Sequence, residues 1–471
     1  MQNDKPQTTN HQRLYCLLLA VFLLSSCEPQ FDTPEPSAGT ADFTRYVAIG
    51  SSYSSGFSDG ALSKQGQRAS FPNLLAQQMR LVGGADTFNI SLLKGDKGCY
   101  PSDTYAPGDF KLTEPKLTLV KKPDCKGEVK LLPERLPGLG DDELDLDDDS
   151  QRDTSHSVFH HLGIPAMKMI DVTSPGYGDV ANYGTSKSFS PYFWRFAPQP
   201  LFLSSPYTYV TAIRPTFYTM ELGMSDVLAY GIAGGASNDY EDQISSVNSF
   251  RLSLKFMLDD LLAQGAQGVI ANIPDVTTFP YFTTIIYDSL NLAPAEADSM
   301  NALYGSNPNV GAIFHAGSHN PFVVKEDGIV RTIKSNEFVH LGIDVDSLKC
   351  MHLGSYIPIG DKDVLSETEI ARVRSFTAQF NTVIEEEAAA RGIAVVDLAA
   401  FMQRISDETT ISGIDFSAEM VSGAFFSLDG LHPTNRGQAM LANEFIKTIN
   451  RTFSANLPEL IIADYQGILF P

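Results

Sequence analysis

The stretch that decides the fold is Tyr46-Val47-Ala48-Ile49-Gly50-Ser51-Ser52-Tyr53-Ser54-Ser55-Gly56-Phe57-Ser58-Asp59-Gly60. Tyr46 to Ile49 is a short apolar run of the kind that forms a buried strand. Gly50 ends it, and small hydroxyl residues follow as far as Gly56. A strand running into a Gly/Ser turn carries a serine to the C-terminal edge of a parallel sheet, where α/β proteins build their ligand sites. Taken alone, the stretch reads more readily as a Ser-rich loop. It gains weight from a second stretch far along the chain, Asp429-Gly430-Leu431-His432-Pro433.

Between the two, strands and helices alternate. Ser70-Phe71-Pro72 opens a helix to about Leu81, with Ser70 as N-cap and Pro72 tolerated in the first turn. Phe88 to Leu92 reads as a short strand. Thr216 to Leu222 is the next core strand and ends in Gly223-Met224-Ser225-Asp226. From Glu241 to Gln264, Ile244, Val247, Leu254, Leu258 and Leu261 recur at helical spacing. Val269 to Ile273 is a strand, Glu367 to Arg391 a long helix and Ile393 to Val396 a strand. A last helix, Thr434 to Ile449, is entered through Pro433. The alternation predicts an α/β fold, a parallel sheet with helices on both faces.

Two stretches interrupt it. Residues 94–155 lack periodicity, carry the acidic run Asp141 to Asp149, and are expected to be an insertion that is partly disordered. Residues 280–365 read as a second insertion with strand-like pieces such as Phe322 to Val324. The acidic run lacks the spacing and glycine of a Ca²⁺ loop and reads as a solvated loop. His315 and His319 stand four apart, but Gly317 lies between them and no further ligand follows closely. They read as loop histidines, and no metal is expected. The aromatics of residues 176–210, among them Tyr177, Tyr192, Phe193, Trp194 and Tyr209, read as packing of a long loop onto the body.

The chain has 471 residues, 43% hydrophobic and 19% charged, as a globular protein has. Its net charge of -22, from 34 basic and 56 acidic residues, argues against a nucleic-acid partner. Lys5 and Arg13 precede an apolar run, Leu14 to Leu24, that is shorter than the ~20 residues a bilayer requires and suits a signal peptide. The run ends in Leu24-Ser25-Ser26-Cys27, which resembles a bacterial lipobox. The resemblance implies removal of residues 1–26 and lipidation of Cys27, and residues 27–42 then read as a flexible tether on a membrane-anchored protein. Cys16 leaves with the signal. Cys99 and Cys125 bracket the first insertion and are the expected disulfide pair, with Cys350 left over.

An Asp and a His three residues apart, just before a helix, can face each other, the carboxylate holding Nδ1–H and leaving Nε2 as a base. The Ser51/Ser52 turn offers a nucleophile. With these residues the chain resembles the GDSL-type SGNH hydrolases, in particular lipoprotein members from Bacteroidetes-like bacteria, over about residues 43–471. Gly50-Ser51-Ser52-Tyr53 stands where that family has Gly-Asp-Ser-Leu, and Asp429-Gly430-Leu431-His432 matches its Asp-x-x-His. His161-Leu162-Gly163-Ile164-Pro165-Ala166 resembles the second block, Asn-x-x-x-x-Gly, and Gly223-Met224-Ser225-Asp226 the third, Gly-x-Asn-Asp. The chain departs from the pattern at Ser51, Ala166 and Ser225.

The resemblance implies a flavodoxin-like three-layer fold with two large insertions, and an esterase or lipase that needs no cofactor. Ser52, His432 and Asp429 would form the triad. The N–H groups of Ser52 and Ala166 would hold the oxyanion, with Ser225 a weaker donor than the usual Asn. The substrate would be an ester on a glycan or a lipid, met at the cell envelope by a protein anchored in the outer membrane. The alternatives are a weakly active or inactive lipoprotein that binds glycan or lipid on the same fold, and an acyl transferase.

Overall fold

Tyr46–Gly50 is a strand, β1, and all five of its residues are buried. A strand buried on both sets of alternating side chains must be covered on both faces. In this computed structural model, which describes residues 35–100, 111–112, 114–138, 140, 144–146 and 149–471, β1 is an inner strand of a five-stranded sheet. It runs parallel to β2 (His161–Gly163), with Ala48 opposite His161. On its other side lies β3 (Phe217–Glu221), with Gly50 opposite Glu221. β4 (Gln267–Ala271) and β5 (Ala394–Val396) extend the sheet in parallel. The order β2-β1-β3-β4-β5 is the flavodoxin-like one, and its direction of growth reverses between β1 and β3.

The helices follow the strands. α1 (Ser52–Ser55) leaves β1 directly, and after a short helix, Lys64–Ala69, comes α2 (Phe71–Arg80). α3 (Ser225–Ile232) leaves the end of β3, α4 (Val247–Ala263) leads to β4, and α5 (Glu367–Ala389) leads to β5. α6 (Asn435–Phe453) is the last α-helix among the described residues. Phe250 of α4 stacks on Phe380 of α5 with ring centroids 4.3 Å apart, and Phe71 of α2 on Phe445 of α6 at 4.6 Å. No helix among the described residues is long and apolar enough to cross a membrane.

Helix ends depart from the expectation where a hydroxyl decides. Ser246 accepts from the N–H of Ser249 at 3.1 Å, so α4 starts at Val247, and Glu241 sits in a separate 3-10 turn. Thr434 caps α6 in the same way through Gly437. The hydroxyl of Ser70 goes to the carbonyl of Gln67 and does not cap α2. Phe88 to Leu92 is not a strand. The carbonyl of Asn89 takes the N–H groups of both His160 and His161, and its own N–H goes to His160 Nδ1, so no ladder propagates.

Part of residues 94–155 is regular. Leu117–Pro123 and Val129–Arg135 pair as an antiparallel hairpin. Its turn, not its periodicity, specifies it: the Asp124 carboxylate accepts from the N–H groups of Lys126 and Glu128, and Gly127 adopts φ +83°. Of the acidic run, only Leu144 to Leu146 and Asp149 fall within the described residues. In residues 280–365, Met300, Val323, Val339 and Ile359 centre an apolar cluster separate from the main core. Tyr192, Phe193 and Trp194 are buried in the main core, whereas Tyr183 and Phe202 are exposed.

The disulfide expectation is corrected. Cys125 bonds to Cys350, with Cα atoms 6.3 Å apart. The hairpin carries Cys125 out to its tip, against the short helix Val345–Cys350, where Lys349 also pairs with Asp124. Cys99 is fully buried, its backbone exchanging hydrogen bonds with Leu62, so closeness in sequence to Cys125 does not become closeness in space.

Candidate active site

The turn after β1 is held from beneath by one carboxylate. Glu221 ends β3 opposite Gly50. Its Oε2 accepts from the N–H of Ser51 (3.2 Å), the N–H of Ser54 (3.1 Å) and the hydroxyl of Ser54 (2.9 Å). A helix start leaves such N–H groups without intrahelical partners, and an acidic side chain there satisfies them. Burial pushes the Glu221 carboxyl up to about 7, against these donors. Two glycines let α1 lie across the sheet end. A Cβ on Gly163 would stand 2.5 Å from backbone atoms of Ser54 and Ser55, and one on Gly50 would stand 1.9 Å from Ser54 Oγ. Ser52, the first residue of α1, accepts from the N–H of Ala166 at 2.9 Å. That bond uses a lone pair and leaves the Ser52 proton for a base. Ala166 holds φ +61°, the left-handed region.

Asp429 organises the second stretch. Its Oδ1 accepts from the N–H groups of Leu431 (2.9 Å) and His432 (2.8 Å) and from the Ser427 hydroxyl (3.1 Å). Its Oδ2 accepts from the N–H of Gly60 (2.8 Å) and lies 2.9 Å from His432 Nδ1. An Asp that bonds the backbone two residues on forms an Asx turn, which is why Asp and His so close in sequence can face each other. Burial opposes the charge, yet the His432 ring and these donors hold the Asp429 carboxyl down to about 2. With Nδ1 donating to Asp429, Nε2 of His432 is left as an acceptor.

The residues after Ser52 join the two stretches. The His432 ring lies 4.6 Å from the ring of Phe57 and 6.1 Å from that of Tyr53, centroid to centroid. The Tyr53 hydroxyl donates to the carbonyl of Leu431, and Asp59 exchanges hydrogen bonds with Ser427 and Leu428. Burial, with the nearby Asp429 charge adding, raises the Asp59 carboxyl to about 6.

Ser225 opens α3, and its Oγ lies 2.6 Å from Ser51 Oγ. The next residue, Asp226, is buried and accepts from the N–H of Met169 at 2.7 Å, tying the start of α3 to the segment that follows Ala166. Burial raises its carboxyl to about 7. His161 is buried with Nε2 3.0 Å from the Ser70 hydroxyl, and burial lowers its ring to about 4, so it is neutral and structural.

Ser52 is thus brought to Ala166 and Ser225 to Ser51 at the end of β1, and Asp429 to His432, whose ring meets the same turn through Phe57 and Tyr53; among the described residues no hydrogen bond joins Ser52 to His432. Cys27 lies outside the described residues. Among the described residues no group of three or more His, Cys, Asp or Glu side chains could hold a metal ion, and His319 faces Asp288 at 3.4 Å. Sequence reasoning missed Glu221 and Asp59. The available signal for Glu221 was an acidic residue at the end of an otherwise apolar buried strand.

The model of the family described as GDSL-like lipase/acylhydrolase matches residues 152–445, more than half of the chain. The match takes in Ala166, Ser225, Asp429 and His432, and it begins after the Ser52 turn. No curated protein and no solved structure matches the chain.

Proposed function

The chain belongs to the family of GDSL-like lipases and acylhydrolases, whose members cleave esters, and on that premise we propose that it is a serine esterase with Ser52 as nucleophile. In this reading His432 Nε2 takes the Ser52 proton as Oγ attacks the acyl carbonyl. Asp429 keeps the ring in the required tautomer and stabilises the imidazolium. The N–H groups of Ser52 and Ala166, with Ser225, receive the negative charge that develops on the carbonyl oxygen. His432 then protonates the leaving alcohol, and water releases the acyl group by the same route in reverse.

The observation that carries the reading is the 2.9 Å contact of His432 Nδ1 with an Asp429 that is itself fixed to Gly60, on the segment running out of the Ser52 turn. An alkyl fluorophosphonate is expected to label the purified protein at Ser52 and to leave Ser52→Ala unlabelled. Absence of labelling together with absence of turnover on acetyl and longer acyl esters would overturn it.

The same proposal extends to placement. Leu24-Ser25-Ser26-Cys27 supports a lipoprotein of a Bacteroidetes-like envelope, anchored through Cys27 in the outer membrane and acting on acetylated glycan or lipid. Residues 1–26 are read as the signal and 27–42 as the tether. The hydrolase domain is read as 43–471, with insertions at about 94–155 and 280–365. Cys27→Ser is expected to move the protein out of the membrane fraction, and unchanged fractionation would remove the anchor from the proposal.

A further inference from the structure

Ser51 and Ser225 each stand where the family pattern has a different residue, and the structure sets the two hydroxyls 2.6 Å apart. We propose that they act as one unit: Ser51 donates to Ser225, and Ser225 turns its own proton to the developing oxyanion. The inference rests on the esterase reading and deepens it. Ser225 is then the donor that touches the reacting oxygen, and Ser51 is a positioning residue.

A proton count leads to this assignment. Two hydroxyls joined by one hydrogen bond spend one proton between them and keep one for a third group. Which hydroxyl keeps it follows from depth. Ser51 is 1% exposed and Ser225 is 8% exposed, so Ser51 is the inner partner and Ser225 the outer. Ser51 is also fixed through both peptide groups that flank its Cα. Its N–H goes to Glu221, and its carbonyl accepts from Ser55 at 2.9 Å. Ser225 begins α3 at the end of β3, while Ala166 follows β2 on the other side of β1, so Ser52 stands between the two proposed donors. A hydroxyl that accepts one hydrogen bond donates a stronger one, which offsets the shorter reach of Ser compared with Asn.

The test is a double-mutant cycle on a short aryl ester, with fluorophosphonate labelling of Ser52 as the independent check on the nucleophile. Ser51→Ala and Ser225→Ala are each expected to lower kcat about ten- to a hundredfold with KM and the shape of the pH profile unchanged. The double variant is expected to fall no further than the weaker single variant, as for residues acting as a unit. Ser51→Cys, close in size but a weak donor, is expected to fall between wild type and Ser51→Ala, and it decides the question if Ser51→Ala does not fold. Multiplicative losses in the double variant, or a Ser51→Ala or Ser51→Cys that keeps wild-type kcat, overturn the proposal. A wild-type protein that neither turns over ester nor takes the probe overturns the esterase reading and this inference with it.

Discussion

Two carboxylates near Ser52, Glu221 and Asp429, are pushed in opposite directions, and of the two only Glu221 gives a pH signature near neutrality. Glu221 is raised to about 7 from an ordinary 4.5 by burial. A carboxyl raised on folding contributes stability that is complete below its unfolded value and is lost as pH rises through the folded one. The protein is therefore expected to lose up to about 3 kcal/mol from this group between pH 4.5 and 7. Glu221→Gln, which keeps an acceptor for Ser51 and Ser54, is expected to flatten that slope in melts taken from pH 4.5 to 8. Asp429 is lowered to about 2 and stays charged throughout the same range. Asp429→Asn is expected to cut turnover by about 10⁴, because the amide sets the wrong tautomer on His432. Ala166 gives a third test. Its φ of +61° costs an alanine about 1 kcal/mol, so Ala166→Gly is expected to raise the melting temperature while keeping the N–H that Ser52 accepts. The turn that carries Ser52 and the Asp429–His432 contact were legible because each lies in a local motif. Glu221 was not, because its meaning depends on facing Gly50 across a parallel register that no local pattern encodes.

At the scale of elements, the short helix α1 depends on two strand glycines more than on its own sequence. Gly163→Ala would press a methyl group against the backbone of Ser54 and Ser55, which cannot yield without moving Ser52. A loss of about 1–3 kcal/mol in denaturant melts is expected, together with a fall in kcat, and unchanged activity would show that α1 is free to shift. The long helices were readable from periodicity because one face of each is apolar and buried, as Ile370, Val373, Phe380 and Ile384 of α5 are. Their first residues were less readable, since Ser246 rather than the apolar stripe decides where α4 begins. The hairpin at Leu117–Pro123 went unread for a related reason. Its strands are half-buried or exposed except at Leu119, so burial imposed no clear pattern, and the signal lay in the Asp124 turn.

At the scale of the whole molecule, the parallel sheet followed from the alternation of apolar runs and helices and its flavodoxin-like order from the family resemblance, whereas the joining of the two interrupting stretches followed from neither. Cys125 and Cys350 are 225 residues apart, and only the folded structure brings the hairpin tip to the helix Val345–Cys350. Closing so long a loop contributes about 5 kcal/mol in the chain-entropy model. Reduction, or Cys125→Ala with Cys350→Ala, is expected to lower the melting temperature, while Cys99→Ser is expected to leave the effect of reductant unchanged. The bridge also fixes which pieces of the chain are covalently one. Between its two half-cystines lie β2, β3 and β4, and outside them lie β1 with Ser52 on one tail and Asp429 with His432 on the other. A single nick anywhere inside that ring leaves a molecule of unchanged mass apart from one water. On a gel run without reductant it migrates as one species, and the reacting residues stay on one covalent framework. A nick between Ser52 and Cys125, or between Cys350 and His432, instead parts Ser52 from His432 in the covalent sense, so they are held together only by the fold.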